Sequence, residues 1–587
     1  MFRHRDARQD RRDYARLRDH RGPVSRAPTA HSKFHELIRA YYHAWFRYHP
    51  EAAVDAGVPG YAHLLTPYGE QRKGALVYLN DELRMSLEEL DRTGLTDDQK
   101  IDFDVLYGAV LLENQYLLEI EPKAPDPGKL LPVYAIYQLT IRPVEDFEAA
   151  LLARLNAIPV HLTGAQDHLR PQAKRIPPLW LESAATAALR GADFLQALPT
   201  QPLVAAFAAS AKRNKLDAAI NKAGRALIEY AQFLQRDIAP QAEGEFACGQ
   251  SYFHNMLRYR HFLDIEISEL YAFGEQLFAE TERELKDVCK KLYGHVDLAR
   301  ATREIQADHP DQDKLLATYR QQMQAAREFV SEHDLVTLPK QERLDVVETP
   351  IFLQHQIPFA AYSDPAPNDA KQQGYYYVTP PADEEQLAEH NYAGLMHTCV
   401  HEAWPGHHLQ FVTANLNETS RTLPRLLNAS ATLYEGWALY CEQLMHEQGF
   451  LSRPEQCFIL LKDRLWRALR VMIDVEIHTR DAGVDQAADR MAVHLGFPKE
   501  QALADLKWYT QAPTTPMGYA TGWALINALR DRLRLQDPKI DLKSFHDRVL
   551  SAGSIALPLA IKRAFSERMW SSVKTAVFAN AVGEAAQ

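Results

Sequence analysis

Residues 263–292, LDIEISELYAFGEQLFAETERELKDVCKKL, place Leu263, Ile267, Leu270, Phe273 and Leu277, then Leu285, Val288 and Leu292, at helical spacing with charged residues between them. Apolar residues three or four apart form one stripe on an α-helix, so this stretch reads as a long amphipathic helix with a single face to bury. Similar stripes recur from about 32 to 336 and from 383 to the end, whereas strand-like alternation is rare and short. The expected fold class is mostly α with a few short strands.

The texture changes between 338 and 381, where Pro339, Pro350, Pro358, Pro365, Pro367, Pro380 and Pro381 interrupt the helical pattern. Inside this stretch, Gly374-Tyr375-Tyr376-Tyr377-Val378-Thr379 joins aromatic and β-branched residues between breakers and predicts a short strand. A helix is expected to restart at Asp383, an N-cap followed by acidic Glu384 and Glu385, and to run on to His401. The chain divides on this reading into a basic tail (1–30), a helical lobe (31–337) and a catalytic half (338–587), the last two forming one continuous unit.

A chain of 587 residues with 46% apolar and 24% charged residues has the composition of a globular protein with a large core. Its net charge of -11 gives no general attraction to nucleic acid or anionic membranes. The local exception is residues 1–26, where nine Arg stand against four Asp with few apolar residues; this tail is expected to be disordered. It lacks the apolar run of a secretory signal, and no stretch of about 18 apolar residues predicts a membrane span. The five cysteines are an odd number and far apart, which fits reduced thiols in a cytoplasm. No nucleic-acid or membrane partner is expected.

The chemistry gathers at Val400-His401-Glu402-Ala403-Trp404-Pro405-Gly406-His407-His408-Leu409-Gln410. In a His-Glu-x-x-His helix, two His at i and i+4 bind zinc and the Glu serves as general base. Here two further residues intervene. A continuous helix would carry His407 about 240° around the axis from His401, and His408 nearly in phase but about 10.5 Å along it. Pro405 cannot donate to the carbonyl of His401 and Gly406 accepts unusual dihedrals, so the pair permits a bulge that returns the next His to the metal. A third ligand is needed, since a catalytic zinc site has three protein ligands and an open position. Glu435, set among aromatic and small residues in Tyr434-Glu435-Gly436-Trp437-Ala438-Leu439-Tyr440, would be costly to bury unpaired, and metal ligation explains it.

His-Glu-x-x-Pro-Gly-His-His followed by Glu-Gly-Trp-Ala-Leu-Tyr resembles the bacterial domain-of-unknown-function 885 family. The resemblance runs from about 252 to 532 and takes in Leu338-Pro339, Glu348-Thr349-Pro350, Gly374 to Val378 and Gly518-Tyr519. It implies a zinc metallopeptidase-like protein holding one zinc per chain, with His401 as first ligand, His407 as second, Glu435 as third, and Glu402 off the metal. His408 is then a residue that supports the ligands from behind or one that faces substrate. It also implies a large two-lobed helical body around a deep channel. Tyr519 resembles the late tyrosine that related peptidases use to steady a tetrahedral intermediate.

Other residues carry two readings each. His397, four before His401, is a packed histidine or a further ligand. Arg470, Asp474 and His478 recur on one helix face as an ion-pair ladder, or line the cleft, with His478 as an oxyanion donor and Arg470 touching substrate. Tyr376 and Tyr377 pack in the core, or hold an extended substrate along a strand. Arg470, Arg480 and Arg530 are candidate cations for a terminal carboxylate. The function expected is a zinc hydrolase of carboxypeptidase or oligopeptidase type, cutting short peptides with Glu402 as general base. The rivals are a metallohydrolase acting on a non-peptide amide or biosynthetic intermediate, and a non-catalytic binding protein.

Overall fold

A computed structural model describes residues 29–208, 212–351, 353, 354, 357 and 359–579. The basic tail lies outside them except for its last two positions. The fold is mostly helical, and the helices that build the site are α1 (Gly249–Tyr259), α2 (Ile267–Tyr293), α3 (Tyr392–Glu402), α4 (His407–Leu416), α5 (Ala431–Glu447), α6 (Pro454–Thr479) and α7 (Gly518–Gln536). Among the described residues no helix is long and apolar enough to cross a membrane.

The stripe of 263–292 becomes α2. Glu266 and Glu269 form a reciprocal capping box at its start, and Gly294 closes it in the left-handed conformation at φ 74°. Leu270, Phe273, Leu277 and Leu285 are buried, each worth about 1.5–3 kcal/mol when fully withdrawn from water. This face lies along α6, and a Cβ at Gly274 would sit 3.0 Å from Val471, so the two backbones are close.

The proline-rich stretch holds a three-stranded sheet of β1 (Arg343–Glu348), β2 (Ala360–Ser363) and β3 (Gln373–Val378) in the order β1-β3-β2. β3 is parallel to β1 and antiparallel to β2, with Tyr376 opposite both Val346 and Tyr362. The helix expected from Asp383 ends at Ala388, and α3 starts afresh because the Asn391 side chain accepts from Gly394 N at 2.9 Å and caps a new helix.

The largest core contains residues from Val105 to Phe578 and encloses α3, α4, α5 and α7. A second core is built from residues 133–238 and meets the sheet through Tyr377. Within the main core α5 and α7 cross with their backbones almost touching. A Cβ on Gly436 would lie 2.4 Å from Gly522 Cα, one on Gly522 2.0 Å from Thr432 O, and one on Gly518 2.4 Å from Ala431 Cβ. These glycines flank Glu435 and Tyr519 in sequence, so the crossing brings those two side chains to one place.

Candidate metal centre

The helix that carries His401 breaks where the Pro-Gly pair stands. Ala403 leaves helical geometry at φ -111°, ψ -92°, and α4 begins at His407. Gly406 N donates back to Val400 O at 3.1 Å. A Cβ on Gly406 would lie 1.9 Å from His401 O, so only glycine permits this fold-back. From the far side, Trp437 Nε1 of α5 donates to Pro405 O at 2.8 Å and pins the bulge. The His401 and His407 rings thereby meet edge to face with centroids 4.8 Å apart.

Glu435 completes a trio whose ligand atoms all lie within 4.8 Å of one another. Glu435 Oε2 is 3.2 Å from His407 Nε2 and 3.6 Å from His401 Nε2. A tetrahedral ion with bonds of about 2.1 Å holds its donors about 3.4 Å apart, which is the spacing of these contacts. Among the described residues Glu435 Oε2 is buried without a well-aligned hydrogen bond, so only the two imidazoles, or a cation in their place, balance its charge. Burial pushes the Glu435 carboxyl up, but the His407 and His401 imidazoles outweigh it and hold it well below the usual carboxylate range. Burial likewise opposes the charged form of His401, yet Glu435 and Glu442 raise it to about 10.

Behind the trio stands a carboxylate that the sequence reading does not include. Glu442 lies seven residues after Glu435, about 20° from the same face of α5. Its Oε1 accepts from His401 Nδ1 at 2.7 Å, which leaves the His401 Nε2 lone pair facing Glu435 and His407. Glu442 Oε2 is 3.5 Å from His397 Nδ1, while His397 Nε2 donates to Gln456 O at 2.9 Å. His397 is thus a packed histidine behind the trio. Burial works against the Glu442 charge, but His397 and His401 bring its carboxyl down to about 2.

Two more expected residues are at the site. Glu402 ends α3, is half-buried, and its carboxylate forms no hydrogen bond or ion pair among the described residues. The Tyr519 ring stacks at 6.3 Å and 16° on His401, near enough for Glu435 to help raise its phenol above the ordinary range, after burial.

Other expectations are corrected. His408 is fully buried and turned away from any substrate: Nδ1 meets Tyr362 Oη at 3.1 Å and Nε2 lies 3.4 Å from Glu342. Burial, then Arg327, pushes it down to about 3. His478 is not brought to the trio, because its Nε2 donates to Tyr509 O at 3.0 Å. Asp474 accepts from Thr514 N and Met517 N, so the ladder on α6 supports the loop leading into α7. Arg470 is buried, pairs with Asp505 at 3.2 Å and lies 4.8 Å from the Tyr519 ring, backing that ring rather than meeting a ligand. Tyr376 and Tyr377 lie on the central strand, whose backbone is already paired on both sides, and both side chains are buried. Neither can hold an extended substrate by backbone bonds.

The sequence profile of a family described as a bacterial protein of unknown function (DUF885) matches residues 50–563. The match reaches well beyond the expected 252–532 on both sides. None of the curated proteins matches this chain. Among solved structures, a candidate lipoprotein of unknown function from Shewanella oneidensis is similar at 21% identity and a TM-score of 0.72, over 90% of this chain and 99% of that one. A candidate lipoprotein from Colwellia psychrerythraea is similar at 16% identity and a TM-score of 0.78, over 94% of this chain and 100% of that one. The cytoplasmic expectation is therefore withdrawn: proteins of this fold are described as lipoproteins, and free cysteines that are mostly buried, as here, are shielded from oxidation in any compartment.

Proposed function

The chain belongs to the DUF885 family, and from its buried trio we propose that it is a zinc-dependent hydrolase cleaving amide bonds of short peptides. The observation that carries this reading is the convergence of His401, His407 and Glu435 at tetrahedral spacing, with Glu435 Oε2 lacking a well-aligned hydrogen bond among the described residues. Two imidazoles and one carboxylate, with a fourth position left open, form the donor set of a catalytic zinc site.

Bound there, zinc supplies Lewis acidity, polarising a carbonyl and making water acidic near neutral pH. Glu402, next to His401 and without a side-chain partner among the described residues, takes the proton of the attacking water and passes it to the leaving amine. The Tyr519 hydroxyl donates to the developing oxyanion. Glu442 fixes the tautomer of His401. With His401 only 7% and Glu435 9% exposed, the trio suits a channelled, two-lobed body that admits extended peptides and excludes folded proteins.

Metal analysis joined to cleavage of a mixed peptide library tests the proposal. The expected result is one zinc per chain and cut peptides. Glu402→Gln should keep its zinc and lose about 10²–10⁴ in turnover, whereas His401→Ala and Glu435→Ala should lose the metal. A protein that takes up no zinc, or a Glu402→Gln variant with full turnover, would sink the reading.

A further inference from the structure

His397 is packed, yet only one of its ring nitrogens is matched. Nε2 lies 2.9 Å from Gln456 O, a carbonyl that can only accept, so Nε2 carries the proton and Nδ1 of the neutral ring is a bare lone pair. Nδ1 is buried without a hydrogen bond among the described residues, and so is Glu442 Oε2, 3.5 Å away. Two acceptors therefore face each other in the interior, on residues that are each 2% exposed. Such a pair is costly to bury unless a positive charge stands between them.

A third donor favours a metal ion over a proton as that charge. Asp463, on α6, brings a carboxylate oxygen to within 4.8 Å of the other two donor atoms. A proton would join one donor to one acceptor, at about 2.7–2.9 Å for an ionised pair, which is shorter than the 3.5 Å between Nδ1 and Oε2. Donors that share one ion, with bonds of about 2.1–2.2 Å, stand about 3.0–3.6 Å apart. The helices supply the convergence. His397 lies one turn before His401 on α3 and Glu442 two turns after Glu435 on α5, so the helix pair that carries the trio carries a second His-Glu pair behind it. The Asp463 side chain keeps 25% of its exposure, which gives an ion a way in.

We propose that His397, Glu442 and Asp463 form a second cation site, which takes a divalent transition-metal ion such as Mn²⁺ or Zn²⁺ on one imidazole and two carboxylates. It is separate from the trio and does not depend on the reaction proposed there. The two sites share Glu442, whose Oε1 bonds His401 Nδ1 at 2.7 Å while Oε2 faces the second site. One cation already competes for the second site, because Arg467 Nη1 donates to Asp463 Oδ1 at 3.3 Å. Among the described residues no arginine or lysine pairs with His401, His407 or Glu435. The trio therefore fills first, and the second ion is held more weakly.

The test titrates Mn²⁺ into full-length chain that has first received one equivalent of zinc, following the loss of the free-ion paramagnetic resonance signal. The wild type should bind one Mn²⁺ per chain. Glu435→Ala, titrated without zinc, should still bind one, because it disrupts only the trio. Asp463→Asn, at a half-buried position, should weaken Mn²⁺ binding about 100-fold or more, as expected for losing a ligand, and leave zinc at the trio. Arg467→Gln should tighten Mn²⁺ binding about 5-fold by removing the competitor, a gain that damage to packing does not produce. If Glu435→Ala binds no Mn²⁺, or Asp463→Asn binds it as tightly as the wild type, the cluster is an ion-paired network and the inference is overturned while the hydrolase reading stands. Should Asp463→Asn lower the Tm sharply, the Arg467→Gln change decides, and unchanged or weaker binding there overturns the site. A trio that holds no zinc defeats the hydrolase reading instead, and the zinc-free Glu435→Ala titration alone then decides the second site.

Discussion

His401 touches carboxylates on both ring nitrogens, Glu442 at Nδ1 and Glu435 near Nε2. The two contacts do different work. Glu435 offers an oxygen where a metal would sit, while Glu442 orients the ring and raises its basicity. Glu442→Gln keeps the size and can still bond Nδ1, but removes the charge. It should weaken zinc binding about 10- to 100-fold without abolishing it, measured by competition with a chromophoric chelator; unchanged affinity would strip Glu442 of this role. That His401, His407 and Glu435 come together was legible in the sequence, since each stands in a pattern that chemistry explains. Glu442 was legible too, through its seven-residue offset from Glu435, but a single carboxylate on an amphipathic helix has too many other uses to single out. The spacing of Arg470, Asp474 and His478 correctly put them on one face, yet could not tell which neighbour that face meets.

Helices were readable from periodicity, but their crossings were not. The glycines of α5 and α7 show why, because Gly436, Gly518 and Gly522 leave no hydrophobic signal while setting how closely the two helices approach. Gly522→Ala would press a methyl against Thr432 O, where an added Cβ has only 2.0 Å. The crossing must open, at a cost of about 1–3 kcal/mol, and Glu435 moves with it. The expected outcome is a lower Tm together with weaker zinc retention. Gly74→Ala is the contrasting case: Gly74 lies in helix Glu70–Glu88 with nothing within 4 Å of a new Cβ. There the substitution should stabilise by about 0.4–1 kcal/mol and leave zinc binding alone. Equal effects from both changes, read by thermal unfolding and metal content, would refute the role given to the crossing. The sheet was legible in only one of its strands, because β1 carries three charged residues in six and β2 has only four residues, whereas β3 holds three consecutive tyrosines, and Asn391 overrode the continuous pattern after Asp383 with a local cap.

Across the molecule, the trio joins α3, α4 and α5 inside the largest core, whereas the helices of 133–238 hold a core of their own. A ligand that binds only the folded form stabilises by RT ln(1 + [L]/Kd), about 4 kcal/mol at a thousandfold excess over Kd. Zinc bound to the trio should therefore stabilise the main core directly and the second core only so far as the two unfold together. The second core meets the sheet through Tyr377, whose strand neighbours Tyr376 and Val378 belong to the main core. Chelator-treated protein is thus expected to exchange amide hydrogens faster in 392–447 than the zinc-loaded protein, with far less change in helices Phe147–Leu169 and Arg213–Phe233. Restoring zinc should restore the protection, and Glu435→Ala should look like the chelated protein whether or not zinc is added. If chelation loosens both cores alike, the molecule unfolds as one unit and the metal is not a local fastener. If it loosens neither, His401, His407 and Glu435 are a packed polar cluster, because an ion bound only by the folded form must stabilise the elements it joins.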